Sequence, residues 1–546
     1  MRRILIIATV LFFQCSFSST LTENQKLVSV CKVWGYLKYY HPKVANGDLN
    51  WDQQLFWILS KIEKDQNKEE FSQVLEEWVD SLGKVEKTVF KNTPKEIKYF
   101  DKNFNLSWIE NQKVFSKNFS KKLRFIENNR FQGSQYYVGA HQGENIFVRN
   151  ENFSKLDYTN RNSRLLVLFM YWNMIEYFYP YKYLMDQSWD ATLGQMLPVF
   201  INAVTEKDFY IAMQKLTVRL NDSHGVFYLY PKKSLNFFPA SCKIVEEKIV
   251  VTEILADSLA KADDIKIGDV ITKVNGKTVK EIINDNRDLI YGSNSAAYLN
   301  HVLKPTLSGI SDSVEIEFLK SGMPISKKIR WYNYHDSHRN EFRKGIKKEK
   351  YKILEDRIGY VDMGALKVGN VSDMVEELKL TKAIIFDLRN YPNGTFREIS
   401  NFLNAQEKVF AIYTVPDLNY PGRFKWIQGT ACGSENKNNY RGRVILLMNE
   451  DSMSQSEWTA MCFQTAGNTT IIGSQTAGAD GNVTEFDLVK AFYTRFSGIG
   501  VYYPDGRETQ RIGIVPDIEV KPTIQGIQQG RDEVLERALL FIKNGK

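Results

Sequence analysis

Cysteine and histidine are scarce in this chain of 546 residues, which holds five of the first and six of the second. No two cysteines form a CxxC pair, and no Cys/His spacing of the kind that holds zinc occurs, so neither a zinc site nor a dense disulfide scaffold is indicated. Cys31, Cys242, Cys432 and Cys462 are far apart, which leaves open an isolated disulfide in an oxidising compartment. Runs of like charge are also missing. The 72 basic and 64 acidic residues give a net charge of +8 spread along the chain, so nucleic acid is not an expected partner. Beyond the first residues no stretch reaches about 18 consecutive apolar residues, so no transmembrane segment is expected. No metal or cofactor is implied. The 43% hydrophobic and 25% charged residues are ordinary for a globular protein. The length exceeds one hydrophobic core and points to about three or four domains.

The N-terminus reads as a signal peptide over residues 1–19: Arg2 and Arg3, then the apolar stretch Ile4 to Phe13, then Ser16, Ser18 and Ser19. The protein is therefore expected to be exported, to the periplasm or the cell surface. Cys15 stands where a lipidated cysteine would, but Phe13 and Gln14 do not match the small residues expected before one.

Two segments repeat without a gap at an offset of 138 residues. Trp34 matches Trp172, Pro42 matches Pro180, Trp51-Asp52 matches Trp189-Asp190, and Leu55, Phe71 and Leu82 match Leu193, Phe209 and Leu220. Each copy reads as a helix ended near the proline, a loop and two further helices, with the aromatics as helical core; an aromatic sugar-binding platform is the rival. Copy 1 with a following strand-and-loop region covers 20–150, and copy 2 covers 151–235. Only copy 2 ends in a serine-histidine pair, Ser223-His224.

From 236 to 335 the pattern changes to short alternating strands. The run Gly268-Asp269-Val270 to Val274-Asn275-Gly276 carries a hairpin signal and resembles a PDZ domain. That resemblance implies capture of a peptide or protein C-terminus along a sheet edge. From 340 to 546 strands alternate with helices. Apolar Ala383 to Phe386 leads into Asp387-Leu388-Arg389-Asn390-Tyr391-Pro392-Asn393-Gly394, and Val444 to Met448 leads into Ser452, Ser454, Ser456 and Glu457. Thr470 to Gly473 runs into Thr476-Ala477-Gly478. A serine between a strand and a helix sits at orphan helix N–H groups, which can hold a developing oxyanion.

D-L-R-x-x-P-x-G, S-x-x-E, G-x-x-T-A-G and G-I-V-P-D in this order resemble the C-terminal-processing (tail-specific) serine peptidases, which include the tricorn core protease. The likeness covers roughly 220–525, PDZ-like stretch included. It implies an α/β multidomain protein with a helical repeat region, a PDZ-like module and a crotonase-like α/β peptidase core. It assigns Ser454 as nucleophile, with Ser452 and Ser456 as capping or packing residues. The lysine base of the best-known branch would fall 25 residues on, where Ala479 stands, so a serine-lysine dyad is excluded. The tricorn-like branch uses a Ser-His pair, which implies His224 as base and Ser223 beside it. Backbone N–H groups of Gln455 and of Asn393 or Gly394 would hold the oxyanion. That branch orients its base with a glutamate, a position that falls here on Gln510; Glu508, two residues earlier, would supply the charge, and Gln510→Glu would restore the carboxylate. The implied activity is endopeptidase cleavage through an acyl-enzyme. A non-catalytic peptide- or ligand-binding envelope protein that keeps the fold is the alternative.

Overall fold

The structure, a computed structural model, describes residues 20–62, 66–88, 97–151, 156–229, 235–333, 349–489 and 492–545; the expected signal peptide and Cys15 lie outside the described residues. The chain divides into two compact units, residues 1–90 with 105–132, and residues 91–104 with 133–546.

The first unit is helical: Glu23–Tyr40 (α1), Trp51–Ser60 (α2), Lys68–Ser81 (α3) and Lys117–Asn128 (α4). A capping box between Thr22 and Gln25 starts α1, and Pro42 follows its end. Trp34 Nε1 donates to the Trp51 carbonyl and Trp51 Nε1 donates to the Trp34 carbonyl, both at 3.1 Å. The sequence pattern leaves α4 as strand or loop. Ser116 caps it, and Phe119, Leu123 and Ile126 bury one face at three-to-four spacing, a stripe diluted in the sequence by Lys121, Lys122 and Arg124.

The second unit opens with the other copy: Arg161–Phe178 (α5), Trp189–Asn202 (α6) and Glu206–Val218 (α7). The same reciprocal bonds join Trp172 and Trp189, at 3.0 and 2.9 Å, with the rings 6.3 Å apart and nearly parallel. Trp34, Trp51, Trp172 and Trp189 are all buried, so the repeat encodes an indole clasp between helices rather than an exposed sugar platform.

After α7 the chain turns through residues 221–225 into strand Val226–Leu229 (β1). The PDZ-like module follows, with Ala240–Val245 (β2), Lys248–Ile254 (β3), Val270–Val274 (β4), helix Ser295–Thr306 (α8), Ser313–Lys320 (β5) and Met323–Arg330 (β6). Its sheet runs β6-β5-β4-β3-β2, with β2 at the edge beside α8. The sequence reads Lys243 to Ile254 as one stretch; the structure breaks it at Glu246 and Glu247, both at positive φ, a turn conformation for which glutamate gives no signal.

The core is a sheet of Tyr351–Leu354 (β7), Ile358–Asp362 (β8), Ala383–Asp387 (β9), Arg443–Met448 (β12), Thr469–Gly473 (β13) and Ile518–Glu519 (β17), in the order β7-β8-β9-β12-β13-β17. All pairs but β7-β8 are parallel. Alternate residues serve opposite layers. Ile384, Phe386, Leu446 and Met448 pack with Met461 and Phe463 of helix Gln455–Gln464 (α9), while Ala383, Ile385, Ile445 and Leu447 pack with Val534, Ala538 and Ile542 of helix Glu533–Asn544 (α10). Lys408–Pro416 (β10), Phe424–Cys432 (β11) and Gly500–Tyr502 (β16) form a second sheet with residues 99–100. Hairpin Val483–Val489 (β14) and Phe492–Ser497 (β15) pairs with β1.

Replacing Trp189 by phenylalanine removes one donor of the clasp and leaves space in the buried stack against Trp172. The variant should lose about 2–3 kcal/mol of unfolding free energy, read as a lowered urea midpoint; an unchanged midpoint would show that stacking alone holds the helices.

Candidate active site

Ser454 lies where β12 turns into α9, half-buried, at φ 56° and ψ −117°. For a residue other than glycine this conformation stores on the order of 1–3 kcal/mol and needs outside support. Its N–H donates to the Ala479 carbonyl at 2.9 Å and to Glu457 Oε2 at 3.2 Å. The flanking serines brace the turn: Ser452 Oγ donates to the Leu388 carbonyl at 2.8 Å, and Ser456 Oγ donates to the Asn390 carbonyl at 3.0 Å.

Glu457, fully buried, gathers the turn and the segment opposite it. Beyond Ser454 N–H, it accepts from Gly478 N–H at 2.8 Å, from Ala479 N–H at 3.0 Å and from the Thr476 hydroxyl. Gly478 has φ +67°, and a Cβ there would press within 2.8 Å of the Arg511 backbone, so only glycine fits. Burial pushes the Glu457 carboxyl up to about 7 against these hydrogen bonds. Asp480 is buried beside it. Its Oδ1 accepts from Gly481 N–H and its Oδ2 has no partner among the described residues, and burial, then the charge of Glu457, raise it well above the ordinary carboxylate range.

Ser223 and His224 reach the same segment from the α7–β1 turn. Ser223 Oγ donates to the Ala477 carbonyl at 2.9 Å, so the Ser-His pair and Ser454 are anchored at residues 477 and 479 of one segment, on either side of Gly478. His224 is 3% exposed. Its Nδ1 lies 3.0 Å from Ser497 Oγ, and no hydrogen bond joins its Nε2 to Ser454 or to any other described residue. Asp222 accepts from His224 N–H at 3.0 Å, Ser497 Oγ at 3.0 Å, Ser497 N–H at 2.8 Å and Gln510 Nε2 at 3.1 Å. Burial pushes the imidazole down to about 4; Asp222 opposes the shift, and Arg495 and His301 add to it. Its imidazole is thus held toward the neutral form at physiological pH.

Gln510 touches Asp222 rather than His224. Glu508 lies outside this network, its carboxylate accepting from the Tyr183 hydroxyl at 2.8–2.9 Å. Asp222 and Ser497 were not singled out from the sequence. Asp222 had a signal, standing two residues before His224; Ser497 is brought in only by pairing, because the β1–β15 register, continued two residues, sets it opposite His224.

At the candidate oxyanion loop, Asn393 Nδ2 donates to the Gly364 and Leu366 carbonyls at 2.8 and 3.0 Å. Gly394 takes φ +71°, a left-handed turn that glycine allows. With its amide oriented to suit its neighbours, Gln455 accepts from Gly394 N–H at 3.1 Å and donates to the Pro392 carbonyl at 3.2 Å. The Gln455 backbone N–H, first of α9, has no acceptor among the described residues. Arg389 locks the loop to Asp387 and Asp532.

The PDZ-like module also enters the site. Ser293 and Ser223 exchange N–H to Oγ bonds at 2.7 and 2.8 Å. Asn294, which caps α8, donates to the Thr476 carbonyl at 2.8 Å and the Arg511 carbonyl at 3.2 Å. Lys243 of β2 pairs with Glu450 and Asp451 in the Ser454 turn, and Asn300 of α8 donates to Asp451. Among the described residues no group of three His, Cys, Asp or Glu side chains is placed to hold a metal, and no helix is long and apolar enough to cross a membrane.

A strained serine at a helix N-terminus above a parallel sheet and a buried histidine are thus anchored on one segment that also binds the start of α8. Residues 357–520 match peptidase family S41 and residues 231–295 match the PDZ domain, so the chain carries an S41 peptidase domain and a PDZ domain. The carboxy-terminal-processing protease of Bartonella bacilliformis is 25% identical over 301 residues, which cover 53% of this chain and 62% of that protein, just under two thirds of its length. Mature CPAF, in complex with lactacystin, superposes with a TM-score of 0.56 at 11% identity over 70% of this chain and 99% of its own. A second structure of mature CPAF gives the same TM-score at 12% identity, covering 70% and 98%. These likenesses speak to the fold.

The carboxyl pair makes stability depend on pH. Groups whose folded pKa is raised, as for Glu457 and Asp480, contribute stability that is present below their unfolded values, near pH 4, and lost as pH rises through the folded ones. Urea unfolding between pH 5 and 9 should therefore show stability falling with pH, and Asp480→Asn, neutral and isosteric, should flatten the fall; an unaltered slope would place the dependence elsewhere.

Proposed function

We propose that the chain is an exported serine-type endopeptidase of the C-terminal-processing kind, acting on peptides or protein tails through an acyl-enzyme on Ser454 with His224 as base. The observation that carries this reading is the common anchoring of the strained Ser454 turn and the Ser223-His224 turn on residues 477–479. His224 Nε2 takes the Ser454 hydroxyl proton as Oγ attacks the carbonyl carbon. The imidazolium then returns the proton to the leaving amine, and water repeats the cycle to release the acid. The oxyanion is held by the N–H of Gln455 and that of Gly394 or Asn393, the Gln455 side chain giving up Gly394 as substrate enters. Serine–histidine contacts tighten in the substrate complex, so their absence without substrate fits the role. Export rests on the N-terminal signal-peptide pattern.

The substrate tail would add to β2 along the groove against α8, where a cavity of 530 Å³ is lined by Ile244, Val245, Leu299 and Leu303, with Lys521 at its rim.

Labelling with a fluorophosphonate should modify Ser454, and Ser454→Ala should abolish both label and turnover, by several orders of magnitude, with the fold intact. His224→Ala should be nearly as damaging. A folded wild-type protein that neither labels nor cleaves would establish a non-catalytic binder. Because the base is held near 4, kcat/KM should be level from pH 6 to 8, with its acid limb well below 6; a limb centred near 6.5 would contradict the buried, neutral histidine.

Leu299→Ala should raise KM several-fold for peptides with a free C-terminus and leave amidated peptides unchanged. An equal effect on both would mean that the groove takes no tail. Deleting the whole module is not an equivalent test, since Ser293 would go with it.

A further inference from the structure

The resemblance to the tricorn-like peptidases looks for a glutamate at position 510 to orient the base, and the chain has glutamine there. A neutral amide cannot stabilise an imidazolium as a carboxylate does. The carboxylate that does face His224 comes from elsewhere in the chain.

We infer that Asp222, acting through the hydroxyl of Ser497, is the acid that fixes the tautomer and orientation of His224. This rests on the reading of His224 as base. Asp222 is 1% exposed and Ser497 fully buried, so water does not compete for these bonds. Ser497 Oγ has a single proton. Asp222 Oδ1, at 3.0 Å, is an acceptor only, so the proton points there. The remaining lone pairs of Oγ face His224 Nδ1, also at 3.0 Å, and that nitrogen must then carry hydrogen and donate. Nε2 is left bare, as a general base requires. The chain of donors runs Nδ1–H to Oγ, and Oγ–H to Oδ1, and charge arising on the imidazole during proton transfer is balanced across one hydroxyl by the Asp222 carboxylate.

Asp222 is itself held by donors. Two N–H groups, one hydroxyl and the Gln510 amide all point at it, which keeps its carboxylate satisfied without water. Gln510 therefore has a role that a glutamate could not fill. Glutamate at 510 would put a second carboxylate about 3 Å from Asp222 Oδ1, where Gln510 Nε2 now donates at 3.1 Å. In this chain the carboxylate nearest the histidine is that of Asp222, and the residue at 510 supports it.

Ser497 is a positioning residue and its removal is the cleanest test, since Ser497→Ala deletes one oxygen and keeps the backbone N–H that donates to Asp222 Oδ2 at 2.8 Å. In 15N-histidine NMR at pH 7, wild-type His224, assigned by its absence in His224→Ala, should show Nδ1 protonated and Nε2 bare. Ser497→Ala should populate the Nε2–H form. Its kcat on a peptide, and its rate of fluorophosphonate labelling, should both fall on the order of 10²-fold with KM within two-fold, and Asp222→Asn should fall further. Gln510→Glu should lose activity rather than tolerate the change. A wild-type Nε2–H tautomer, or Ser497→Ala with kcat within two-fold of wild type, would overturn the inference. If His224→Ala and Ser454→Ala keep turnover, the base itself is misassigned. Ser454→Ala and His224→Ala inactive with Asp222→Asn fully active would overturn only the orienting acid. Should the aspartate or serine variant fail to fold, the wild-type tautomer decides alone.

Discussion

The site hangs on one buried carboxylate. Glu457 accepts from the N–H of Ser454 on its own helix and from Thr476, Gly478 and Ala479 on the segment opposite. Without it, the Ser454 backbone has little reason to hold a positive φ, and the 476–479 segment loses the side chain that pins its N–H groups. Everything else attaches to that segment: Ser454 N–H at Ala479, Ser223 at Ala477, Asn294 at Thr476, Arg511 N–H at Gly478. The nucleophile turn, the histidine turn and the PDZ-like module come from widely separated parts of the chain, yet their relative positions are set by a few residues of backbone that one glutamate holds in place. An S-x-x-E pattern is an ordinary helix-capping box elsewhere. Here its glutamate reaches past the cap into the next segment.

Burial gives this arrangement both its precision and its electrostatic character. Asp222 has four donors around it, whereas Asp480 has one donor and, among the described residues, an orphan oxygen, and burial, then the charge of Glu457, pushes it toward the neutral form. His224 is pushed the other way by the same desolvation, becoming neutral and weakly basic. A base with a low pKa is always in its reactive form at neutral pH but pulls less on the serine proton. The deficit is the kind that a fixed carboxylate partner offsets during transfer, since Asp222 stabilises the charged imidazole and not the neutral one.

Much of this was legible in the sequence, and the failures have physical causes. The repeat, the PDZ-like hairpin around Asn275-Gly276 and the strand-turn-helix around Ser454 are local patterns, and the structure shows them where the residues indicate. What escaped was non-local. Ser497 lies 273 residues from His224 and becomes its neighbour only through the antiparallel pairing of β15 with β1; no spacing rule reports a register between distant strands. Gln510 and Glu508 fail differently. Alternation on a strand puts them on one side, but the run after Tyr503 is a turn, with Glu508 bridged to Tyr502 and its carboxylate drawn to Tyr183, so the period-two argument does not apply. Helix α4 escaped because lysines and an arginine separate its apolar positions, and the turn at Glu246-Glu247 because glutamate seldom adopts positive φ.

The PDZ-like module illustrates how far sequence boundaries and mechanical boundaries can part. As a stretch of chain it is a cassette with its own sheet and core. As a structure it begins α8 on the 476–479 segment and grips the Ser454 turn through Lys243 and Asn300. Each of the buried Ser223–Ser293 bonds contributes about 1 kcal/mol net, and breaking them also strands the donors in a site without water, which costs more than forming them gains. The start of α8 is therefore fixed to the histidine turn far more firmly than its exposed ion pairs alone would hold it. The edge strand and the helix that would receive a peptide tail belong to the same compact unit as the residues that would cut it. On the proposed reading, the distance from a docked tail to Ser454 would be set by the protein rather than by a flexible tether, which would favour segments of a particular length upstream of the C-terminus.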